Sequence, residues 1–205
     1  MESDFDVLIV GGGAAGMSCA LTLGSGLNRP FAENRKAGIL LHQKASNLQN
    51  ALFNNVLGLS PGTTGREILQ RGIAHLKEQY PGMIQIPSEK AIEIAFLEEG
   101  FEIKTNRNLY FSRKVVVATG YTSGVVIKGL ESFVIPHKKT KPEKKRIQLL
   151  NEDHLVRPDL YVAGTLAGHR SQFAIACGSG AAVATDILTE WNQGVHTKIH
   201  DKITI

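Results

Sequence analysis

The sharpest hydrophobic pattern in the chain is the unbroken apolar run FDVLIV at residues 5–10, which closes on Gly11-Gly12-Gly13-Ala14-Ala15-Gly16. A β-rich run without polar alternation predicts a strand buried on both faces. Residues 17–23 (MSCALTL) then set small and apolar side chains at helical spacing, up to Gly24 and Gly26. The opening therefore reads as strand, glycine turn, helix. A second strand is expected near Phe31-Ala32-Glu33, weakened by Pro30, which donates no ladder hydrogen bond. Residues 39–55 read as a long polar loop with apolar anchors.

Thr64 and Glu67 have the spacing of a capping box. They predict a helix through Ile68, Leu69, Ile73 and Leu76 to about Tyr80, where Pro81-Gly82 stops it. Four short strand-like segments follow, at 83–86, 91–97, 101–105 and 109–111, separated by turn residues. They predict a small antiparallel meander. KVVVAT (114–119) before Gly120 and LYVA (160–163) before Gly164 are two further buried strands. Residues 121–159 between them are mixed and partly basic, without a clear period. A helix rich in small residues is expected from about Ser171 to Trp191, followed by a polar tail. The pattern is α/β: a Rossmann-type fold with a central parallel sheet, helices and a small antiparallel β-meander. A chain of 205 residues suits one domain, taken as 1–205.

Charge changes this picture little. The formal net charge is +4, and much of the positive charge lies in Lys138, Lys139, Lys141, Lys144, Lys145 and Arg146. No aromatic residue interleaves with that run, so it reads as a solvated connector and not as a nucleic-acid reader. The two cysteines, Cys19 and Cys177, form no CxxC pair, and no His/Cys spacing fits zinc. Sparse cysteine, with neither a signal-peptide pattern nor an apolar span, leads to the expectation of a cytoplasmic protein with no membrane contact.

The candidate chemistry starts at the turn. Gly11, Gly13 and Gly16 match GxGxxG between a buried strand and a helix. In that setting Gly11 permits the tight turn, Gly13 lets a pyrophosphate approach the backbone, and Gly16 lets helix and strand pack closely. The N–H groups at the helix start face the phosphates, and the helix dipole favours their charge. A dinucleotide site is the reading. Glu33, about 20 residues further on, is the candidate for the ribose hydroxyls.

Four stretches together resemble the thioredoxin-reductase-like branch of the pyridine nucleotide-disulfide oxidoreductases: VLIVGGGAAG (7–16), NNVLG (54–58), VVVATG (115–120), and LYVAG with the helix after it (160 onward). They span most of the chain in the family's order. The resemblance implies an FAD domain in which Gly11, Gly13, Ala14, Ala15 and Gly16 hold the pyrophosphate and Glu33 binds the adenosine ribose. It further implies that Asn55 contacts the flavin end, that the backbone of Glu89 and Lys90 meets the adenine, and that Thr119, Gly120, Gly164 and Thr165 line the cofactor. Gln172 and Phe173 would begin the helix aimed at the flavin pyrimidine carbonyl, where its dipole stabilises charge on reduced flavin.

The sequence departs from that family in three respects. Thr165 stands where the family usually has an Asp that bonds the ribityl chain. Only one GxGxxG is present, so 121–159 is expected to be a connector in place of the family's NAD(P)H domain. The CxxC dithiol is absent, and both cysteines are expected to be packing residues. His169 and Arg170 lie in the loop before the last helix, where either can touch the ring or an anionic substrate. Two functions are expected from this set. The first is an FAD-dependent oxidoreductase doing two-electron chemistry, with NAD(P)H or a partner reductase as donor and an unidentified acceptor. The second is a non-catalytic FAD-binding module or subunit of a larger redox complex. A homodimer is the expected assembly, as is common in that branch.

Overall fold

The computed structural model describes residues 3–43, 46–120 and 127–200. Strand β1 (Phe5–Val10) leads through the glycine turn into helix α1 (Ala14–Gly26). Then come β2 (Ala37–Leu41), the short pair β3 (Leu52–Phe53) and β4 (Thr63–Thr64), and helix α2 (Gly65–Gln79). Strands β5 (Met83–Pro87), β6 (Ala91–Phe96), β7 (Phe101–Thr105) and β8 (Leu109–Val117) follow. The chain ends with a hairpin of β9 (Val134–Pro136) and β10 (Ile147–Leu149), then β11 (Leu155–Arg157), β12 (Leu160–Val162) and helix α3 (Phe173–Trp191).

The main sheet runs β11-β12-β8-β1-β2-β5. β1 pairs in parallel with both β2 and β8, β12 with β8, and β5 with β2; only β11 on this path is antiparallel. β6 and β7 form an antiparallel meander joined to the first half of β8. The fold is thus a Rossmann-type α/β architecture with the expected meander.

The apolar run of β1 has no polar alternation because both faces are covered. Val7 and Ile9 pack with α1 and α3 through Cys19, Leu23, Val183 and Ile187. Leu8 and Val10 pack on the opposite face with Ile94, Ile103, Leu130 and Leu149. Beneath the helices, α1 and α3 touch backbone to backbone: a Cβ on Gly180 would stand 1.9 Å from the Ala15 carbonyl oxygen. That contact fixes the start of α3 beside the start of α1.

Several expectations change. The segment expected as a strand at 31–33 is a 3-10 turn, Pro30–Ala32, and the second strand lies at Ala37–Leu41 inside the stretch expected to be loop. The segment at 83–86 is not part of the meander but the parallel edge strand β5. The segments at 109–111 and 114–119 are one nine-residue strand, β8, because Lys114 is buried with its ammonium paired to Asp159 and Glu190. The connector expected at 121–159 holds β9, β10 and β11 in its described part, and its residues 121–126 lie outside the described residues. The capping box is as expected: Thr64 Oγ1 accepts from the Glu67 N–H at 3.2 Å, and the Glu67 carboxylate accepts from the Thr64 N–H at 2.8 Å.

Candidate functional site

The glycine turn emerges at the carboxyl end of β1, where parallel α/β sheets present their ligand crevice. Gly11 has φ +115°, and a Cβ there would stand 2.7 Å from the Ala118 carbonyl oxygen. Gly16 is tighter still, with a Cβ position 1.8 Å from the Gly11 oxygen. These two glycines are therefore demanded by the fold. Gly13 differs. Its φ of −78° and ψ of −168° are ordinary extended values, and its Cβ position meets only Ser46 Oγ at 3.8 Å. Gly13 faces open space, as a turn that admits a ligand requires. No side chain caps α1 and no acid sits in its first turn, so its free N–H groups keep their attraction for an anion.

The later candidates converge on this turn. A Cβ on Gly164 would stand 2.9 Å from Ala15 Cβ, and one on Gly120 would lie 3.7 Å from Thr165 Oγ1. Gly164 and Gly120 both have positive φ, at +75° and +77°. Thr119 adjoins Gly11, whose Cβ position is 3.2 Å from the Thr119 nitrogen. Gln172 is the N-cap of α3 and makes no side-chain cap bond, leaving a second free helix start in the same region. The Phe173 ring lies 5.0 Å from that of Phe53, which ties α3 to the loop carrying the exposed Asn55.

Of three further candidates, Glu33 is not brought to this cleft, whereas Glu89 and Lys90 follow the end of β5, which pairs with Leu41 at the carboxyl end of the sheet. Glu33 ends the 3-10 turn four residues before β2. It lies at the amino end of the sheet, about a strand length (17–20 Å) from the turn. The Glu89 carboxylate is buried and already bonded by Thr105, Asn108 and Tyr110. Burial acts to raise its pKa, but those three hydrogen bonds prevail and hold it below the ordinary carboxylate value. The Lys90 backbone N–H and carbonyl are both bonded to Asn106.

The positions that β2 does deliver are His42 and Gln43. Gln43 Nε2 donates to the Gly12 carbonyl at 2.8 Å, clasping the turn. Gln49 Nε2 in turn donates to the Gln43 carbonyl at 3.1 Å. The sequence signal for these residues was a polar pair directly after the apolar AGILL, once that run is taken as the second strand.

A histidine pair borders the approach to α3. His154 Nε2 lies 3.0 Å from both His169 Nε2 and Ser179 Oγ, and Ser179 Oγ accepts the Gly164 N–H at 2.8 Å. On the other side, the Lys139 N–H donates to His137 Nδ1, so the Nε2–H of His137 donates to the Thr165 carbonyl at 3.1 Å. Burial lowers the pKa of His154 against the opposing pull of Asp186 and Asp153. Burial, then the charges of His154 and Lys139, lower that of His169. The unfolded chain, with imidazoles near 6.5, thus binds more protons on acidification than the native one. Stability from this pair is complete above about pH 6.5 and is lost as pH falls through that value toward the lowered native pKa values. We expect the thermal midpoint to fall between about pH 7 and 5, and the His169→Gln variant to show a shallower fall over that window. Parallel profiles by differential scanning calorimetry would contradict it.

Cys177 Sγ lies 4.0 Å from the Ala14 carbonyl, and burial pushes its thiol up to about 11. Cys19 is completely buried, and burial pushes its thiol up to about 12. Among the described residues no cluster of three or more His, Cys, Asp or Glu side chains is placed to hold a metal, and no helix is long and apolar enough to cross a membrane.

The arrangement is a Rossmann-type fold in which the uncapped starts of α1 and α3 lie near one another. Residues 5–180 match the family described as pyridine nucleotide-disulphide oxidoreductase, and the chain belongs to it. A thioredoxin reductase from Gloeobacter violaceus has a similar fold, with a TM-score of 0.73 over 100% of both chains at 15% identity. The thioredoxin reductase of T. acidophilum gives a TM-score of 0.66 at 18% identity, over 92% of this chain and 99% of its own. The atypical thioredoxin reductase TRi from Desulfovibrio vulgaris Hildenborough gives 0.68 at 14%, over 93% and 99%. At these identities the likeness speaks for the fold alone. No curated protein matches the chain.

Proposed function

We propose that the chain is a single FAD-binding domain and acts as an FAD-dependent oxidoreductase. One observation carries this reading: the open Gly13 and the uncapped start of α1 lie against the first turns of α3, where Cys177 Sγ is 4.0 Å from the Ala14 carbonyl, and the start of α3 is itself uncapped. A ligand charged at its middle and at one end suits that spacing of positive helix ends. The cradle fits FAD on its own geometry, since the space a Cβ at Gly13 would fill is free. Gly13, Ala14 and Ala15 would hold the pyrophosphate through backbone N–H groups. Thr119, Gly120, Gly164 and Thr165 would line its middle. Gln172, Phe173 and Asn55 would stand at the flavin end.

When bound, FAD supplies two-electron redox chemistry, and the protein contributes orientation and electrostatics. The free N–H groups at the start of α3 would favour negative charge on a group bound there, such as the reduced form of the flavin. Thr165 would offer the ribityl chain a neutral hydroxyl in place of a carboxylate, and such a contact would be weaker than a charge-assisted one. The electron donor in this reading is NAD(P)H or a partner reductase; a ferredoxin-flavin thioredoxin reductase from Clostridium acetobutylicum is also similar in fold. The compartment we propose is the cytoplasm.

The purified protein is expected to be yellow and to release FAD on denaturation, read by chromatography of the supernatant. Recovery of NAD, or of no nucleotide from folded protein offered FAD, would falsify this reading. Mixing with NADH or NADPH without oxygen then separates an oxidoreductase, whose flavin absorbance bleaches, from a non-catalytic FAD-binding module, whose absorbance persists.

A further inference from the structure

A groove of about 1000 Å³ opens at His42 and Gln43, beside the glycine turn, and runs between α2 and the edge strand β5. Helical spacing brings Arg66, Ile73 and Lys77 of α2 to its wall, and Arg107 of the β7–β8 turn reaches it from below. Among the described residues no aspartate or glutamate lines it. We propose that this groove recognises a phosphate on the ribose of an adenine nucleotide, so that 2′-phosphorylated adenosines bind the chain more tightly than unphosphorylated ones. The proposal rests on the reading of the glycine turn as a nucleotide site, and not on flavin being its occupant.

In a Rossmann unit the end of the second strand reads the ribose. A carboxylate there accepts from the 2′-hydroxyl and repels a phosphate, whereas an arginine nearby accommodates the 2′-phosphate. Here β2 ends at Leu41, and the residues after it are His42 and Gln43. The nearest acid earlier in sequence, Glu33, precedes the strand and lies at the opposite end of the sheet. A free ribose diol there therefore meets the neutral side chains of His42 and Gln43 and, among the described residues, no carboxylate.

Two carboxylates near these cations, Glu67 and Glu89, are committed elsewhere. Glu67 closes the capping box with Thr64 and pairs with Arg71. Glu89 is held by three hydrogen bonds, with Arg107 acting on it only through its charge. Among the described residues, neither Arg66 nor Lys77 makes an ion pair. A phosphate monoester is mostly a dianion at neutral pH, and guanidinium groups bind its oxygens by paired, charge-assisted bonds. FAD carries no phosphate on its ribose, so it draws nothing from these cations. It would be held through the turn and the flavin end instead.

The test is isothermal titration of nucleotide-free protein, its fold checked by circular dichroism, with adenosine 2′,5′-bisphosphate, 5′-AMP and inorganic phosphate. The bisphosphate is expected to bind at least about tenfold more tightly than 5′-AMP, the scale of one charge-assisted hydrogen bond. The preference should shrink with added salt and fall below about threefold in the Arg66→Gln, Arg107→Gln double variant. Equal binding of the two nucleotides, or a preference that survives the double variant, overturns the proposal. Inorganic phosphate binding as tightly as the bisphosphate overturns it also, since the groove would then read phosphate without adenosine. Loss of FAD binding with the preference intact strikes the flavin reading alone; FAD binding without the preference strikes this proposal alone.

Discussion

Gly13→Val should purify as a folded protein without flavin, whereas Gly16→Val should barely fold. The two positions lie three residues apart in one turn, and their surroundings set opposite outcomes. Gly13 has an extended backbone that a β-branched residue adopts freely, and its new side chain would meet only Ser46 Oγ at 3.8 Å. The fold loses little, about 1 kcal/mol, since valine is a poorer N-cap than glycine. The isopropyl group instead fills the space through which the pyrophosphate reaches the N–H groups of α1. At Gly16 a Cβ would overlap the Gly11 carbonyl oxygen at 1.8 Å. That oxygen is backbone, held between α1 and the Ala118 peptide, and it cannot move aside as a side chain would. A cost of about 4 kcal/mol or more is expected, at the exceptional end for a single substitution. In a chain of this size it would lower the thermal midpoint by roughly 8–16 °C. Flavin absorbance and thermal unfolding measured on both variants check the pair. Full flavin occupancy in Gly13→Val would show that the turn is structural only.

Much of this distinction could be read from the sequence, because it is local. A glycine turn between a buried run and a helix needs no distant partner to be recognised, and neither does the Thr64–Glu67 capping box. The second strand was less accessible. Its apolar run AGILL contains Gly38, which looks like a loop residue until the Phe5 ring is seen to occupy the place of its side chain, 2.6 Å from the Cβ position. A strand near residues 31–33 would put Glu33 at the cleft, about 20 residues after the turn, as the acid for the ribose. Once β2 is displaced to residues 37–41, His42 and Gln43 become the residues at the cleft. The break expected between residues 111 and 114 has a similar cause. The polar Ser112-Arg113-Lys114 between two apolar runs suggests two strands, but Asp159 and Glu190, 45 and 76 residues from Lys114 in sequence, pair with it inside one long strand. The His154–His169–Ser179 contact joins three separate segments, and no spacing pattern announces such a meeting.

Neither thiol should take part in electron transfer, and the 205-residue chain should not reduce a small aromatic disulfide with NADPH at any rate that depends on Cys177. The thiolate is the nucleophile in thiol–disulfide exchange. With Cys177 pushed up to about 11 by burial, only about one molecule in ten thousand carries the thiolate at pH 7. Its sulfur faces the Ala14 carbonyl, a partner that favours S–H over S⁻. Cys19 has no exposed surface and a thiol raised to about 12, so it is poorer still. No cation stands among the causes of either shift to offset burial, which is how reactive cysteines are ordinarily activated. On the proposed function, neither of these thiols would relay electrons between a bound flavin and its acceptor. Cys177→Ser is expected to leave NADPH-driven disulfide reduction within about twofold of the parent, both near background. A chromogenic disulfide reagent should titrate the two cysteines quickly only after denaturation. Rapid reaction of Cys177 in the native protein, or turnover that disappears in the serine variant, would place that thiol in the redox path and overturn the reading.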